Sequence, residues 1–226
     1  MSALHHRRAW RGVLGAAIAS VVLLASACAT SSPSGEGATD EPHRFAVDVD
    51  VDTPELRAAK ESAGIADCPS TDPARQSIGQ PAGKPMPQLT LPCLGGGPEV
   101  NLADLRGPLV VNLWAQWCGP CREELPYYQR LHERGDGQVS VLGIDYEDTR
   151  PAWAIELLRD TGVTYPSLAD PGGEIGVPFR VRGLPGIVFV DADGSVVAVE
   201  FVVIRSYEQL TDLVEQHLGV AVGAAG

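Results

Sequence analysis

The sequence has few basic residues and few aromatic residues. Lysine and arginine together number 17 against 29 aspartate and glutamate residues, so the formal net charge at pH 7 is −12. Aromatic residues make up 6% of the chain, and no basic cluster with interleaved aromatic residues occurs. An acidic surface repels the phosphate backbone of nucleic acids. The composition therefore excludes a nucleic-acid partner.

The ligands that a zinc site needs are also missing. The motif Cys118-Gly-Pro-Cys121 has no second Cys-x-x-Cys to complete a tetrahedral site. His132 and His217 fall on segments that are predicted to be packing helices. We therefore expect neither a metal nor any other cofactor. The sequence also shows no internal repeat, and its 226 residues allow one well-buried domain with some residues to spare.

The N-terminal segment has the pattern of a bacterial lipoprotein signal. A basic stretch up to Arg11 is followed by an uncharged run over residues 12–27, which closes with small residues directly before Cys28. We expect removal of residues 1–27 and lipidation of the Cys28 thiol, which would tether the chain to the outer face of the cytoplasmic membrane. The alternative is an uncleaved helical anchor, since residues 12–29 just reach spanning length. Either arrangement places the folded part outside the cytoplasm.

The chain divides into five segments by composition. After the signal, residues 28–52 are predicted to be a flexible tether and residues 53–81 an N-terminal extension. Residues 82–219 form the main domain, and residues 220–226 are predicted to be a disordered tail. In the tether, the alternation of apolar and acidic residues over 45–52 predicts a half-exposed strand. In the extension, Thr53, Pro54 and Gly64 delimit a short helix.

The main domain alternates strands and helices. Strands are predicted at 109–115, 139–145, 186–191 and 195–203, the last two forming a hairpin. Helices are predicted from Cys118 to about residue 133, over 150–160 with Thr149 as its cap, and from Ser206 to Gly219. This order predicts an α/β fold with a mixed central β-sheet that is flanked by helices.

The chemistry of the chain centres on Cys118 and Cys121. Two cysteines three residues apart at the first turn of a helix can form a reversible disulfide, and the helix N-terminus stabilises a thiolate there. Cys118, at the corner between strand and helix, is predicted to be the exposed nucleophile. Cys121, one turn further, is predicted to be buried and to resolve the mixed disulfide. Pro120 sets φ for the helix start without removing a needed donor.

Cys68 and Cys93 remain as an even pair outside this motif. In an oxidising compartment we expect them to be disulfide-bonded and structural. Closing the loop between them would stabilise the fold by about 3.5 kcal/mol in the chain-entropy model. The alternative is a second exchanging dithiol, although the distance along the chain and the flanking Pro69 and Pro92 favour a structural role.

The quoted motifs resemble those of a known protein family. The run VNLWAQWCGPCREELP at 111–126, followed by GLPG at 183–186 and DADG at 191–194, is similar to the TlpA/ResA group of thioredoxin-like protein disulfide reductases. The resemblance covers about residues 80–218. It implies a thioredoxin-like fold for the main domain.

The resemblance also implies roles for individual residues. Pro185 aligns with a cis-proline beside the dithiol, where the Leu184 backbone would pair with an extended substrate polypeptide. Glu124 matches an acid that would accept the proton of the resolving thiol. Trp117 would shield the disulfide, and the group's substrate surface would include Gly119 and Pro120.

Two positions depart from what related proteins carry. Asn112 stands where thioredoxin has a buried acid, which leaves Glu124 as the acid to nominate. Gly186 stands where members of the group usually have threonine.

These observations predict a membrane-tethered, extracytoplasmic thiol-disulfide oxidoreductase that acts on protein substrates. The resemblance suggests a reductase that receives electrons from a membrane donor, for example one that keeps the haem-attachment cysteines of apocytochrome c reduced. The Gly-Pro pair between the cysteines is also similar to reducing thioredoxins. The alternatives are an oxidase that introduces disulfides and a binding lipoprotein in which Cys118 and Cys121 are inert or hold copper.

Overall fold

A five-stranded mixed β-sheet forms the centre of the computed structural model, which describes residues 48–70, 81–135 and 137–223. The strands in chain order are β1 (Thr90–Leu91), β2 (Val100–Asn101), β3 (Leu109–Trp114), β4 (Ser140–Tyr146), β5 (Ser167–Asp170), β6 (Gly186–Val190) and β7 (Val196–Glu200). The central sheet has the order β5-β4-β3-β6-β7, and β1 pairs with β2 as a separate antiparallel hairpin. The predicted α/β fold with a mixed sheet is confirmed.

Strand β3 lies in the middle of this sheet. It runs parallel to β4 and antiparallel to β6, and β5 and β7 complete the two sides. Every residue of β3 and of β6 is buried, which explains why both segments are apolar without alternation, apart from Asn112 in β3. Strand β7 lies at one edge and keeps most of its residues partly accessible.

Within residues 48–70, 81–135 and 137–223, five α-helices surround the sheet. They are α1 (Pro54–Ala63), α2 (Gly119–Arg134), α3 (Pro151–Asp160), α4 (Gly176–Phe179) and α5 (Tyr207–Leu218). Two of the predicted helix starts are confirmed at atomic detail. The hydroxyl of Thr53 accepts a hydrogen bond from Leu56 N at 3.3 Å, and that of Ser206 accepts one from Gln209 N at 3.1 Å. Gly64 ends α1 in the left-handed region with φ 70°.

Some local predictions were wrong. Residues 48–52 form no strand, because their backbone runs along the glycine turn after β1, where Gly95 N donates to Val51 O.

Helix α3 is not capped by Thr149. Arg150 occupies the cap position, and its backbone N–H is instead satisfied by the carboxylate of Asp148.

Strand β5 was not predicted from the sequence. Its four residues, Ser167–Asp170, directly follow Pro166 and carry no long apolar run. Pairing with β4 makes the segment a strand, since Ile144 aligns with Leu168 in the parallel register.

The apolar core has two parts. One contains side chains of α1, α2, α3 and α5, together with Val110, Val141 and Phe189 from the sheet. The other contains side chains of the β1–β2 hairpin, a 3₁₀ turn at Leu102–Asp104 and α4, together with sheet residues such as Val111 and Val188. Neighbouring residues of β3 therefore point into different halves of the core.

A disulfide joins Cys68, beyond α1, to Cys93, just after β1, with 5.8 Å between the Cα atoms. Both residues are buried. The extension is also held by backbone hydrogen bonds, among them Ala66 N to Thr164 O at 2.8 Å. The expected pairing of Cys68 with Cys93 is thus present, and its structural role stays a prediction.

That role can be tested through stability. We expect the double substitution Cys68→Ala with Cys93→Ala to lower the free energy of unfolding by about 3 to 4 kcal/mol, because the denatured chain regains the freedom of a long closed loop. Urea denaturation of the oxidised protein measures this change. The matched control is Cys118→Ala with Cys121→Ala, which opens a much shorter loop and should cost less. A loss below about 1 kcal/mol at Cys68 and Cys93 would contradict a structural role.

The predicted signal peptide and the lipidation position Cys28 lie outside the described residues. Across 48–70, 81–135 and 137–223, no helix has the length and apolar character needed to cross a membrane.

Candidate active site

The Cys118 and Cys121 sulfurs form a disulfide at the start of α2, with 5.3 Å between the Cα atoms. Cys118 is the N-cap residue, and its Sγ accepts a hydrogen bond from Cys121 N at 3.3 Å. Cys118 keeps 5% of its surface exposed, whereas Cys121 is fully buried. The predicted order of exposure is therefore found, although only a small edge of Cys118 reaches solvent.

The helix start favours negative charge on Cys118. No acidic side chain occupies the first turn of α2, and the Cys121 backbone N–H donates to the Cys118 sulfur at this positive end of the helix. A thiolate at Cys118 is stabilised by this partial positive charge. Gly119 and Pro120 are both exposed at this end of the helix, so the surface beside the sulfur is open to another polypeptide.

Hydrogen bonds fix the loop that precedes the dithiol. Trp117 Nε1 donates to Glu147 O at 3.1 Å, and Gln116 N donates to the carboxylate of Asp148 at 3.0 Å. Trp117 remains 49% exposed beside the dithiol. Trp114, by contrast, is completely buried and belongs to the core. These contacts hold the strand-to-helix corner in one conformation.

Glu124 lies one turn beyond Cys121 and is completely buried. One carboxylate oxygen accepts a hydrogen bond from Ile204 N at 2.9 Å. Burial raises the pKa of Glu124 to about 8, and the Ile204 bond opposes this only in part. The neighbouring Glu123 is exposed. Glu124 is therefore placed to hold or release a proton near neutral pH.

Pro185 lies at the same end of the sheet as the dithiol. The peptide bond between Leu184 and Pro185 is cis, as the family resemblance implied. Gly186, the next residue, pairs with Leu113 of β3, and β3 leads directly into the corner at Cys118. Leu184 and Pro185 line a groove of about 490 Å³, together with Arg182, Gly183 and residues 201–203.

The structure explains why glycine is present at position 186. A Cβ atom at Gly186 would lie 3.1 Å from the Phe201 ring and 3.2 Å from the Leu113 side chain. The Phe201 ring therefore occupies the space that a side chain at 186 would need. The guanidinium of Arg182 lies 5.2 Å from the centre of the same ring. This wall of the groove is consequently aromatic and carries a cation.

Sequence reasoning missed a buried polar group of residues next to Glu124. Asn112 Nδ2 donates to the Tyr165 hydroxyl at 3.1 Å, and both residues are buried. Tyr128, also fully buried, lies one turn beyond Glu124 on α2. The spacing of four residues between Glu124 and Tyr128 was the available signal, because it places both on one face of a helix.

Lys60 is a second feature that the sequence did not indicate. Its ammonium group is buried and lies 3.3 Å from Cys93 Sγ, while it donates to Gly96 O at 2.7 Å. Asp67 supplies the compensating carboxylate at 3.0 Å. The charge of Lys60 is thus satisfied at the junction between α1 and the Cys68–Cys93 disulfide.

Comparison with known proteins agrees with this architecture. Residues 82–199 match the AhpC/TSA family. The chain is 39% identical over 116 residues to the thiol:disulfide interchange protein DsbE of Pseudomonas fluorescens biotype C, a match that covers 50% of this chain and 63% of that protein. It is 37% identical over 118 residues to the thiol:disulfide interchange protein HelX of Rhodobacter capsulatus, covering 51% and 65% respectively.

A solved structure shows the same fold. The crystal structure of a secreted thiol-disulfide isomerase from Corynebacterium glutamicum aligns with a TM-score of 0.51 and 27% identity, over 57% of this chain and 82% of that one. The predicted thioredoxin-like fold is therefore confirmed. The chain spans less than two thirds of the length of both curated relatives.

Proposed function

The chain belongs to the AhpC/TSA family, and from this premise we propose that it is an extracytoplasmic thiol-disulfide oxidoreductase that reduces protein disulfides. The observation that carries the proposal is the Cys118–Cys121 disulfide at the start of α2, with the buried acid Glu124 one turn away. The interchange activity named for DsbE and HelX supports the same chemistry.

The reaction starts with the reduced dithiol. The Cys118 thiolate attacks one sulfur of a substrate disulfide, a new bond forms between the two proteins, and the other substrate sulfur leaves as a thiolate. Glu124 then takes the proton of Cys121, and the Cys121 thiolate attacks Cys118. The second substrate sulfur leaves and gains a proton from water. The substrate has received two electrons, and Cys118 and Cys121 are again a disulfide.

The surface around Cys118 supports a polypeptide substrate. The exposed Gly119 and Pro120 form one side, and the groove at Leu184 and Pro185 forms the other. An extended segment of the substrate would pair with the backbone of Leu184. Haem-attachment cysteines of apocytochrome c are the substrate that the TlpA/ResA resemblance suggests.

The proposal includes attachment to the membrane. Lipidation of Cys28 would keep the domain at the outer face of the cytoplasmic membrane, where a membrane electron donor could regenerate the dithiol. The composition of residues 28–47 would give the domain the reach to meet both donor and substrate, whereas residues 48–52 of the predicted tether pack against the folded domain.

The reduction potential of the Cys118–Cys121 couple tests this proposal. The protein is equilibrated in glutathione or dithiothreitol buffers, and alkylation followed by mass spectrometry reports each cysteine separately. We expect a value near that of reducing thioredoxins, about −270 mV. A value near about −120 mV would instead assign the protein to disulfide formation. Cysteines that do not exchange at all would contradict an enzymatic role.

A further inference from the structure

Three buried oxygen atoms belong to side chains on and around the active-site helix α2. They are the second carboxylate oxygen of Glu124 and the hydroxyls of Tyr128 and Tyr165, and each of these side chains is fully buried. Within the described part of the chain, Glu124 Oε1 and the Tyr128 hydroxyl have no hydrogen-bond partner. The Tyr165 hydroxyl accepts from Asn112 Nδ2, so its own proton is still free to be donated.

Glu124, Tyr128 and Tyr165 come from two parts of the fold. Glu124 and Tyr128 are four residues apart on α2 and therefore share one face of the helix. Tyr165 reaches the same half of the core from the segment before β5, and Tyr128, Tyr165 and Ile204 belong to one packed cluster. The charge of Glu124 also affects the two tyrosine hydroxyls. After burial itself, the charge of Glu124 contributes to raising the pKa of both tyrosine hydroxyls.

An ionised Glu124 needs more than one hydrogen bond. A carboxylate in an apolar core is destabilised unless donors satisfy its oxygens, and Ile204 N serves only one of them. The proposed reaction requires this ionised form, because Glu124 must be free to accept the proton of Cys121. The unpaired hydroxyls are donors with the right chemistry, either by direct contact or across one buried water molecule.

We propose that Tyr128 and Tyr165 are positioning residues, whose hydroxyls donate to Oε1 of Glu124 when the carboxyl group is ionised. This inference rests on the proposed function, in which Glu124 accepts the Cys121 proton. Asn112 fixes the Tyr165 hydroxyl so that its proton can turn toward Glu124. The two tyrosines thereby keep the ionised form of Glu124 accessible at the pH where exchange takes place.

Among the residues that the structure describes, few other titratable groups lie near Glu124, Tyr128 and Tyr165. On α2 these are Cys121 itself and His132, whose ring packs edge-on against Tyr165 with 6.1 Å between the ring centres. From β3 the neighbour is the neutral Asn112, and the connection before α5 contributes the Ile204 backbone amide. On α5, the buried Tyr207 hydroxyl also has no partner among the described residues, but Tyr207 packs beneath the guanidinium of Arg130, and the charge of Glu124 does not contribute to the shift in the pKa of Tyr207. Tyr128 and Tyr165 are therefore the hydroxyl donors to test.

The test measures the ionisation of Glu124 directly. The carbonyl band of the protonated carboxyl group is followed by infrared difference spectroscopy of the full chain as pH is raised, and Glu124→Gln identifies the band by its loss. We expect Tyr128→Phe and Tyr165→Phe each to move the midpoint upward by about one pH unit, since each removes a hydrogen bond to the ionised form. The pH profile of mixed-disulfide resolution should move in parallel.

Tyr127→Phe is the matched control. Tyr127 is on the same helix next to Tyr128 but is only half-buried, and its substitution should leave the midpoint unchanged. Unchanged midpoints in both Tyr128→Phe and Tyr165→Phe would overturn the proposal. A shift in only one variant would overturn the claim that both hydroxyls donate to Glu124. The infrared result does not depend on turnover. If Glu124→Gln exchanges at the normal rate, the base role of Glu124 fails while the test of the tyrosines still stands.

Discussion

Replacing Cys118 with serine is expected to lower the rate of disulfide reduction by at least about a thousandfold. The serine hydroxyl cannot form the mixed disulfide, and no other described cysteine is placed to substitute. Cys68 and Cys93 are bonded to each other, and Cys121 is completely buried. The first step of the proposed reaction therefore depends on Cys118, the more exposed residue of the Cys118–Cys121 pair.

Cys121→Ser should behave differently and provides the matched comparison. Cys118 can still attack, but no thiolate is available to release the substrate, so a covalent complex should accumulate. Non-reducing gel electrophoresis with a protein disulfide as substrate distinguishes the two variants. A covalent complex formed by Cys118→Ser and not by Cys121→Ser would reverse the assignment of nucleophile and resolving cysteine.

Glu124→Gln is expected to slow resolution of the mixed disulfide about a hundredfold at pH 7. Glutamine has almost the same shape but cannot accept the proton of Cys121. In the unsubstituted protein the rate of resolution should rise with pH up to about 8, where Glu124 becomes ionised, and this inflection should be absent in the variant. Stopped-flow measurement of substrate release across pH 5 to about 10 tests both expectations.

Glu123→Gln serves as the control, because Glu123 has the same side chain on the same turn of α2 but is exposed. It should leave the rate and its pH dependence unchanged. If the two substitutions slowed resolution equally, the effect would come from charge near the helix start and not from proton transfer by Glu124.

The same titration affects stability with a defined sign. The pKa of Glu124 is about 8 in the folded protein, compared with 4.5 for an ordinary glutamate. Between these values the unfolded chain releases this proton and the folded protein retains it, so the free energy of unfolding falls as pH rises, by up to about 1.4 kcal/mol per pH unit. The contribution is complete below pH 4.5 and is lost as pH rises through 8. Glu124→Gln should remove this fall.

Features that depend on neighbouring residues could be predicted from the sequence. The caps at Thr53 and Ser206 and the largely apolar strand β3 follow from side chains within a few positions of each other. The Cys118-x-x-Cys121 spacing belongs to the same class, since one turn of helix brings the two sulfurs together. The geometry of these features is local, so no distant contact was needed to predict them.

Features that depend on distant residues were decided by the tertiary structure. Residues 48–52 alternate like a strand but lie against a glycine turn, and Ser167–Asp170 becomes a strand only because β4 lies beside it. Among these features, the pKa of Glu124 matters most for function. The sequence indicated an acid one turn beyond Cys121, but its pKa depends on how completely the core excludes water and on an amide 80 positions away at Ile204. The chemistry of the dithiol is thus encoded locally, whereas the proton affinity of its partner acid arises only when the chain has packed around it.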